Sequence, residues 1–267
     1  IPGTGQFQYK VAPMGLAGSP ASFSRLMDIA MRGLPNVITY IDDCLVHSAT
    51  PHDHQKHLSA VLERLRRAGL KINLEKSHFA MSEVQYLGHT ISGAGITPGK
   101  DKLAALAAAT VPTTLRFIGL ANFFRQFVPR FARIAAPLFA LTRTDNPYRS
   151  GQIPADAEKA FKTLRKAITT APVLAYPTTN APMYLFTDGA LGDEHREGGL
   201  GAALFQKDTN GKLRPLGFAS RRLLPHEKNY TAFLIEQKAA VYGMQFFDTY
   251  LRHKHFYHHF DHKPMEK

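Results

Sequence analysis

The sequence predicts an α+β protein built on antiparallel sheets. Three observations carry that prediction. The first 95 residues alternate helix, hairpin, helix, hairpin; residues 97–141 turn helical; and the last hundred hold three strand-like runs, a helix and a final strand.

The first helix is read in "GSPASFSRLMDIAMRGLP". Ser19 is the expected N-cap, Pro20 suits the first helical position, and Gly33 can close the end. Phe23, Leu26, Met27, Ala30 and Met31 share one face at helical spacing, which marks a core stripe. "NVITYI" and "CLVHS" then form a hairpin with Asp42 and Asp43 at its tip. Two adjacent like charges at a turn repel, so a cation should sit nearby or the turn should be solvated. A doublet of Asp is also ordinary turn chemistry.

Thr50 caps the next helix, Pro51 starts it, Asp53 occupies the capping-box position and Gly69 ends it. Its expected stripe is Leu58, Val61, Leu62 and Leu65. "EVQYLGHTIS" followed by "GAG" reads as a second hairpin region. Thr97-Pro98 and Thr113-Thr114 read as helix starts, and "RTDNPYRSGQIP" as a linker. A helix carrying Phe161, Leu164 and Ile168 leads to "APVLAYP". "PMYLFTDG", "GGLGAALFQK" and "KLRPLGFAS" are three strands, residues 230–250 a helix, and "HKHFYHHFDH" a strand.

Lys and Arg total 33 against 21 Asp and Glu, a formal charge of +12, which points to a polyanionic partner: nucleic acid or an anionic membrane surface. No basic amphipathic helix with a large apolar face supports the membrane choice. No apolar run approaches the roughly 18 residues that a membrane helix needs. With Cys44 the single cysteine, no internal disulfide can form, and a reducing, intracellular compartment is expected. The chain opens without Met and in mid-pattern, so a segment of a longer protein is expected.

Asp188 ends an apolar strand, Glu236 lies in a largely apolar helix, and Asp261 ends the last strand-like run. Such acids are costly to desolvate unless paired or bound to a cation. A carboxylate cluster suits Mg²⁺, and two ions about 4 Å apart can clamp the oxygens of a phosphodiester. Spacing by itself does not separate this from three unrelated surface acids. His253, His255, His258, His259 and His262 fall within ten residues, but without cysteine they favour a basic strand surface over zinc.

The order of "MGLAGSPASFSRLMDIAM", "ITYIDDCLVHS", "VQYLGHTISGAGITPGKDKLAAL", "FIGLANFFRQFVPRFARIAAPLFALT", "APVLAYP", "LFTDGA", "GLGAALFQ", "HEKNY" and "FDHKPM" resembles the Pol polyprotein of gypsy-type LTR retrotransposons across essentially the whole chain. The resemblance implies a reverse transcriptase palm (residues 1–95, ferredoxin-like antiparallel sheet with helices), a helical thumb and connection (96–152), and a C-terminally truncated ribonuclease H-like α/β domain (153–267). It implies DNA synthesis on RNA and DNA templates and Mg²⁺-dependent cleavage of RNA in RNA–DNA hybrids. The implied partners are an RNA template, a DNA primer, the hybrid and deoxynucleoside triphosphates, with no membrane.

Residue by residue, Asp42 would ligate catalytic Mg²⁺, Asp43 would support it, and Tyr40 would lie at the primer terminus. Those cations would answer the repulsion at the turn. Gly15 and Ser24 belong to the segment near the templating base, where Ser24 replaces a frequent Gln. Leu87, Gly88 and His89 resemble a primer grip. Arg116, Arg125 and Arg130 would meet phosphates from the thumb, while Phe117, Phe123, Phe124 and Phe127 are read as core. Asp188, Glu236 and Asp261 match ribonuclease H carboxylates and would hold two Mg²⁺.

The chain also departs from the pattern. The family's further palm Asp has no counterpart, since no acid precedes Asp28. A fourth acid is expected beyond Lys267, an acidic insert occupies 192–198, and Gly189-Ala190 replaces Ala-Ser. There is no Trp, and Tyr148 stands where an aromatic is typical. Little polymerase activity is therefore expected of these residues alone, and the alternative is a catalytically inactive nucleic-acid-binding remnant.

Overall fold

A computed structural model describes residues 3, 8–12, 15–109, 115–142, 153–179, 181–193 and 196–260. By packing, the chain divides into two compact units, residues 1–82 and 83–267.

In the first unit, helix α1 (Ser19–Met31) precedes a hairpin of β1 (Val37–Tyr40) and β2 (Asp43–Val46), followed by α2 (Pro51–Arg67). Met27 and Met31 of α1 close on Val61 and Leu65 of α2, with Val37, Cys44 and Val46 packed against them. Leu26 and Leu62, expected in those stripes, sit at the exposed margin. Ser19 is not the cap of α1. The Ser22 N–H donates to the Gly18 carbonyl, which makes Gly18 the cap and draws Ser19 into the first turn. Thr50 does cap α2: its hydroxyl accepts from the Asp53 N–H (3.1 Å) and donates to the Asp53 carboxylate (2.7 Å). The imidazole of His57 on α2 meets Asn36 Nδ2 and Ser48 Oγ, both at 2.7 Å, and so holds the two ends of the hairpin against the helix.

The second unit opens with an antiparallel meander of β3 (Glu83–Tyr86), β4 (His89–Ser92) and β5 (Gly95–Pro98). It packs with this unit rather than the first, because the Ile96 and Leu174 backbones pair and the Gly99 N–H donates to the Gly88 carbonyl (3.0 Å). Thr97-Pro98 is thus the end of β5 and not a helix start; α3 (Lys100–Ala107) begins after Gly99. The start expected at Thr113-Thr114 and the linker core lie outside the described residues. Helices α4 (Leu115–Phe123), α5 (Phe131–Ala140) and α6 (Ala155–Thr169) follow. Phe124, Phe127, Phe131, Phe161, Leu138 and Leu164 form their common core, into which Phe218 projects from the large sheet.

That sheet runs β8 (Leu213–Arg222), β7 (Arg196–Lys207), β6 (Met183–Asp193), β9 (Phe256–His259), with β9 parallel to β6 and the other pairs antiparallel. Helix α7 (Ala232–Phe246) lies over β6 and β7. It ends at Phe246, short of the expected Tyr250, and a separate turn of helix spans Asp248–Leu251. The last strand is shorter than expected. His253 has φ +60° and precedes it, so His253 and His255 share no strand face, and His262 lies outside the described residues.

Candidate functional site

Two groups of acids come into view, one in each unit. In the first, Tyr40 pairs with Asp43, so Ile41 and Asp42 form the tip of the hairpin. Asp42, Asp43 and Tyr40 are all exposed, as a hairpin tip clear of the core requires. Ile41 adopts φ +54°, which is rare for a β-branched residue. Strain of that kind concentrates where a turn must present side chains in one orientation. Gly15, also at positive φ (+87°), stands exposed before α1, and Ser24 is half-buried within it.

In the second unit, Leu87 (φ +48°) and Gly88 (φ +78°) make the two-residue turn between β3 and β4. A Cβ on Gly88 would fall 2.5 Å from Lys102 Nζ, which itself sits 3.5 Å over the ring of Phe123. His89 stacks on the same ring (5.1 Å) and lies close to Phe124 and Phe127; its Nε2 meets Gln126 (3.2 Å) and its Nδ1 the Leu87 carbonyl (3.2 Å). Burial pushes its pKa below the ordinary value, with Lys102 adding to that, against the Leu87 bond. His89 is therefore held half-buried against the edge of the helical core. Of the four aromatics read as core, Phe117, Phe124 and Phe127 are buried, while Phe123 is partly exposed between His89 and Lys102.

The three arginines separate. The side chain of Arg116 lies outside what is described. Arg125 donates to the Ser220 carbonyl on β8, and the Ser220 hydroxyl accepts from the Ala132 N–H (2.9 Å), so this pair fastens the start of α5 to the sheet. Arg130 is exposed and left-handed (φ +52°, ψ +32°). It lines a cavity of about 530 Å³ together with Phe186, Asp188, Phe218 and His259.

Asp188 lies within β6, opposite Gly201, and not at its end: the strand continues to Asp193 because β7 pairs with it that far. Strand alternation turns Leu185 and Thr187 inward and leaves Asp188 exposed, so it does not carry the desolvation cost that its apolar neighbours suggested. Glu236 of α7 accepts from the Gly189 N–H through Oε2 (3.2 Å). The fold thus sets the Glu236 carboxylate against the backbone of the residue that follows Asp188. Asp261 lies outside the described residues. Among those described, no three His, Cys, Asp or Glu side chains converge to hold a metal. Asp188 is exposed and Glu236 half-buried, so carboxylate oxygens of the kind that suit an ion keeping several waters are open to water on both elements.

Two features escaped the sequence reading. Gly189 admits α7: a Cβ there would lie 2.7 Å from the Ile235 carbonyl oxygen. The replacement of Ala-Ser was its only signal. Buried Glu227, in "HEKNY", takes both guanidinium nitrogens of Arg221 (2.6 and 2.8 Å) and the Leu224 N–H (2.8 Å). Hydrogen bonding to Arg221 holds its carboxyl down at about 2, against the raising effect of burial. Arg221 in turn lies 5.5 Å from the ring of Tyr242 on α7, so this pair braces β8 against the helix that bears Glu236.

Residues 2–91 match the family of reverse transcriptases (RNA-dependent DNA polymerases), and residues 154–258 match the RNase H-like domain found in reverse transcriptases. The fold agrees: a foamy viral protease-reverse transcriptase in complex with an RNA/DNA hybrid superposes with a TM-score of 0.76 at 22% identity over 93% of this chain and 33% of that one. The same viral protein with double-stranded DNA gives 0.72 at 21% over 94% of this chain and 60% of that one. The class is a reverse transcriptase segment joined to a ribonuclease H-like domain.

The retrovirus-related Pol polyproteins of the transposons opus and 297 from Drosophila melanogaster are each 31% identical, over 92% and 98% of this chain and 25% and 24% of theirs. The transposon Tf2-3 polyprotein of Schizosaccharomyces pombe is 28% identical over 92% of this chain and 18% of its own length. The chain belongs to the reverse transcriptase–ribonuclease H region of gypsy-type retrotransposon Pol polyproteins. It spans about a quarter of the length of the two Drosophila relatives.

Proposed function

We propose that this chain cleaves the RNA strand of RNA–DNA hybrids at Asp188, Glu236 and Asp261, and that the Tyr40–Asp43 turn belongs to a site of DNA synthesis on RNA and DNA templates. One observation supports the hydrolytic assignment above the others: the Gly189 N–H holds the Glu236 carboxylate next to Asp188 in a ribonuclease H-like sheet. The three acids would hold Mg²⁺, which supplies charge neutralisation at the phosphate and activation of a water. The protein's own part is to orient the carboxylates. Gly189 fixes Glu236, the β6–β7 pairing fixes Asp188, and α7 is braced through Tyr242.

At the other site, Asp42 would serve as metal ligand, with Asp43 beside it and Tyr40 at the primer terminus. Gly15 and Ser24 would face template and deoxynucleoside triphosphate, and Leu87, Gly88 and His89 the primer strand. Because the His89 ring is engaged by protein, its part would be to set the Leu87–Gly88 turn rather than to bind a strand. Arg125 would act likewise through β8, leaving Arg116 and Arg130 for phosphates. The solved viral relatives with duplex DNA and hybrid support these partners. Residues 1–95, 96–152 and 153–267 would act as palm, thumb with connection, and hydrolytic domain, in an intracellular setting. Among the described residues no helix is long and apolar enough to cross a membrane.

The test is cutting of an end-labelled RNA–DNA hybrid with and without Mg²⁺. Cleavage that needs Mg²⁺ and disappears in Asp188→Asn and Glu236→Gln supports the assignment. Hybrid binding with no cleavage under any divalent ion would instead make the chain a nucleic-acid-binding remnant.

A further inference from the structure

The histidines near the end of the chain read in the sequence as a basic strand surface, yet one of them turns inward. Alternation along β9 exposes Tyr257 and His259 and puts His258 on the face of Phe256, which packs against Met183, Leu185 and their neighbours in the large sheet. There His258 Nε2 lies 2.7 Å from the hydroxyl of Thr187 on β6. Burial pushes the pKa of His258 below the ordinary value, with His259 adding to that, so the ring is mostly neutral at pH 7.

Thr187 is only 6% exposed, so its hydroxyl needs a partner inside the protein, and His258 supplies one. Its methyl faces the other way, towards Gly243 of α7. A side chain branched at Cβ has few rotamers, and these two contacts select one. Among the described residues the ladder between β6 and β9 ends at Phe186 and His259. The side-chain bond therefore joins the strands one residue beyond the last backbone pair of β6, at the residue that precedes Asp188. On the other strand, His258 precedes Asp261 by three positions.

We propose that His258 is a positioning residue of the hydrolytic site: by bonding Thr187 it fixes the end of β9 against the strand of Asp188, and so sets the acid of β6 and the acid that follows β9 in one register. This deepens the hydrolytic reading and rests on it. The ring acts through Thr187 and not on the substrate. An apolar residue at 258 could pack between the strands, but it would leave the buried hydroxyl without a partner.

The experiment follows hybrid cleavage by the 267-residue chain over a series of Mg²⁺ concentrations, beside an NMR titration of the Gly189 amide by Mg²⁺ alone. Losing a group that orients a metal ligand typically costs about 10–100-fold in metal affinity or activity. His258→Leu should accordingly lower kcat about tenfold and raise the Mg²⁺ needed for half-maximal rate, with KM for the hybrid within about twofold. Thr187→Val should do the same, and the double variant should be no worse than either single one. His258→Gln, whose amide can reach the hydroxyl, should recover most of the rate. A His258→Leu chain whose kcat and Mg²⁺ requirement stay within about twofold of the native ones overturns the positioning role and leaves the hydrolytic reading standing. A loss that His258→Gln fails to recover does the same, since it reduces His258 to a packing residue. If the native chain cuts no hybrid, the hydrolytic reading fails and the titration decides. Mg²⁺ shifts of the Gly189 amide that weaken in His258→Leu support the positioning of the acids, and shifts equal in the two chains, or absent from both, overturn it.

Discussion

Glu227→Gln tests whether the β8 brace is as strong as its geometry says. The Glu227 carboxyl is almost fully buried and sits at about 2 when folded against an ordinary 4.5. That difference of about 2.5, at 1.36 kcal/mol each, makes the ionised form worth about 3 kcal/mol to the folded state. The sign follows from a folded pKa that lies below the unfolded one. The contribution is complete above about pH 4.5 and disappears as pH falls towards 2, with about 2 kcal/mol already gone at pH 3. The substituted amide keeps the shape of the side chain but leaves Arg221 without a carboxylate. Removing one partner of a buried pair costs about 3–5 kcal/mol, and the partial exposure of Arg221 sets the expectation at the lower end. Because the chain has two units, a single unfolding curve can mix them. Hydrogen exchange of the β8 amides in a urea series reads the second unit by itself. Glu227→Gln should lose about 3 kcal/mol at pH 7 and show a shallower decline between pH 5 and 3. Arg221→Met with Glu227→Leu should recover much of the loss. A Glu227→Gln chain within about 0.5 kcal/mol of the native one at pH 7, or with the native acid slope, refutes the reasoning.

Three further outcomes follow from the same geometry. Ile41→Gly relieves the left-handed strain of a β-branched residue against the greater chain entropy of Gly, so the first unit should be unchanged or up to about 1 kcal/mol more stable by urea unfolding. Gly189→Ala drives a Cβ into the Ile235 carbonyl, whereas Gly243→Ala meets the side chains of Thr187 (2.9 Å) and Ala202 (3.0 Å). Both should cost about 1–3 kcal/mol, but Gly189→Ala should lower hybrid cleavage far more, since it alone disturbs the hydrogen bond to Glu236. The His89 ring, with its pKa pushed down by burial, should titrate below 6.5 by NMR; because the folded value is the lower one, its share of stability is present above pH 6.5 and declines as pH falls.

Local signals in the sequence were good guides where the cause is local. The helices of the first unit, the hairpin between them and the Thr50 cap follow from period, turn residues and caps, and so do the three long strands. Several of the failures have their cause in contacts distant along the chain, the others in detail finer than composition. Thr97-Pro98 looks like a helix start, but pairing with Thr90 and His89 of β4 makes it the end of a strand. Gly18 displaced Ser19 as a cap by one hydrogen bond that no composition rule fixes. The strand period around Asp188 is apolar on average, yet alternation alone exposes the acid. Arg125 and His89 look like free polar residues in a basic segment, and both are committed to partners 95 and 37 positions away. The reach of Gly189 to Ile235 could not be read without knowing that α7 crosses β6 at that point.

The two acid sites are built on different mechanical principles. Asp42 sits in the two-residue turn and Asp43 opens β2, both exposed, with the backbone of Ile41 and the hairpin ladder setting their place. Asp188 and Glu236 come from a strand and a helix whose separation is fixed by a missing Cβ, a main-chain hydrogen bond and a close approach of Gly243 to Thr187 and Ala202. The helix is in turn tied to β8 through Tyr242 and the Arg221–Glu227 pair, and β8 to the preceding helices through Ser220. Groups held by packing on several sides lose little freedom when they receive a ligand, whereas groups on an exposed turn must be ordered by the ligand itself. The elements that carry the proposed hydrolytic acids are thus fastened to the helices that precede them in the chain, which gives those helices a structural reason to travel with the ribonuclease H-like sheet and makes β8 the element through which they support it.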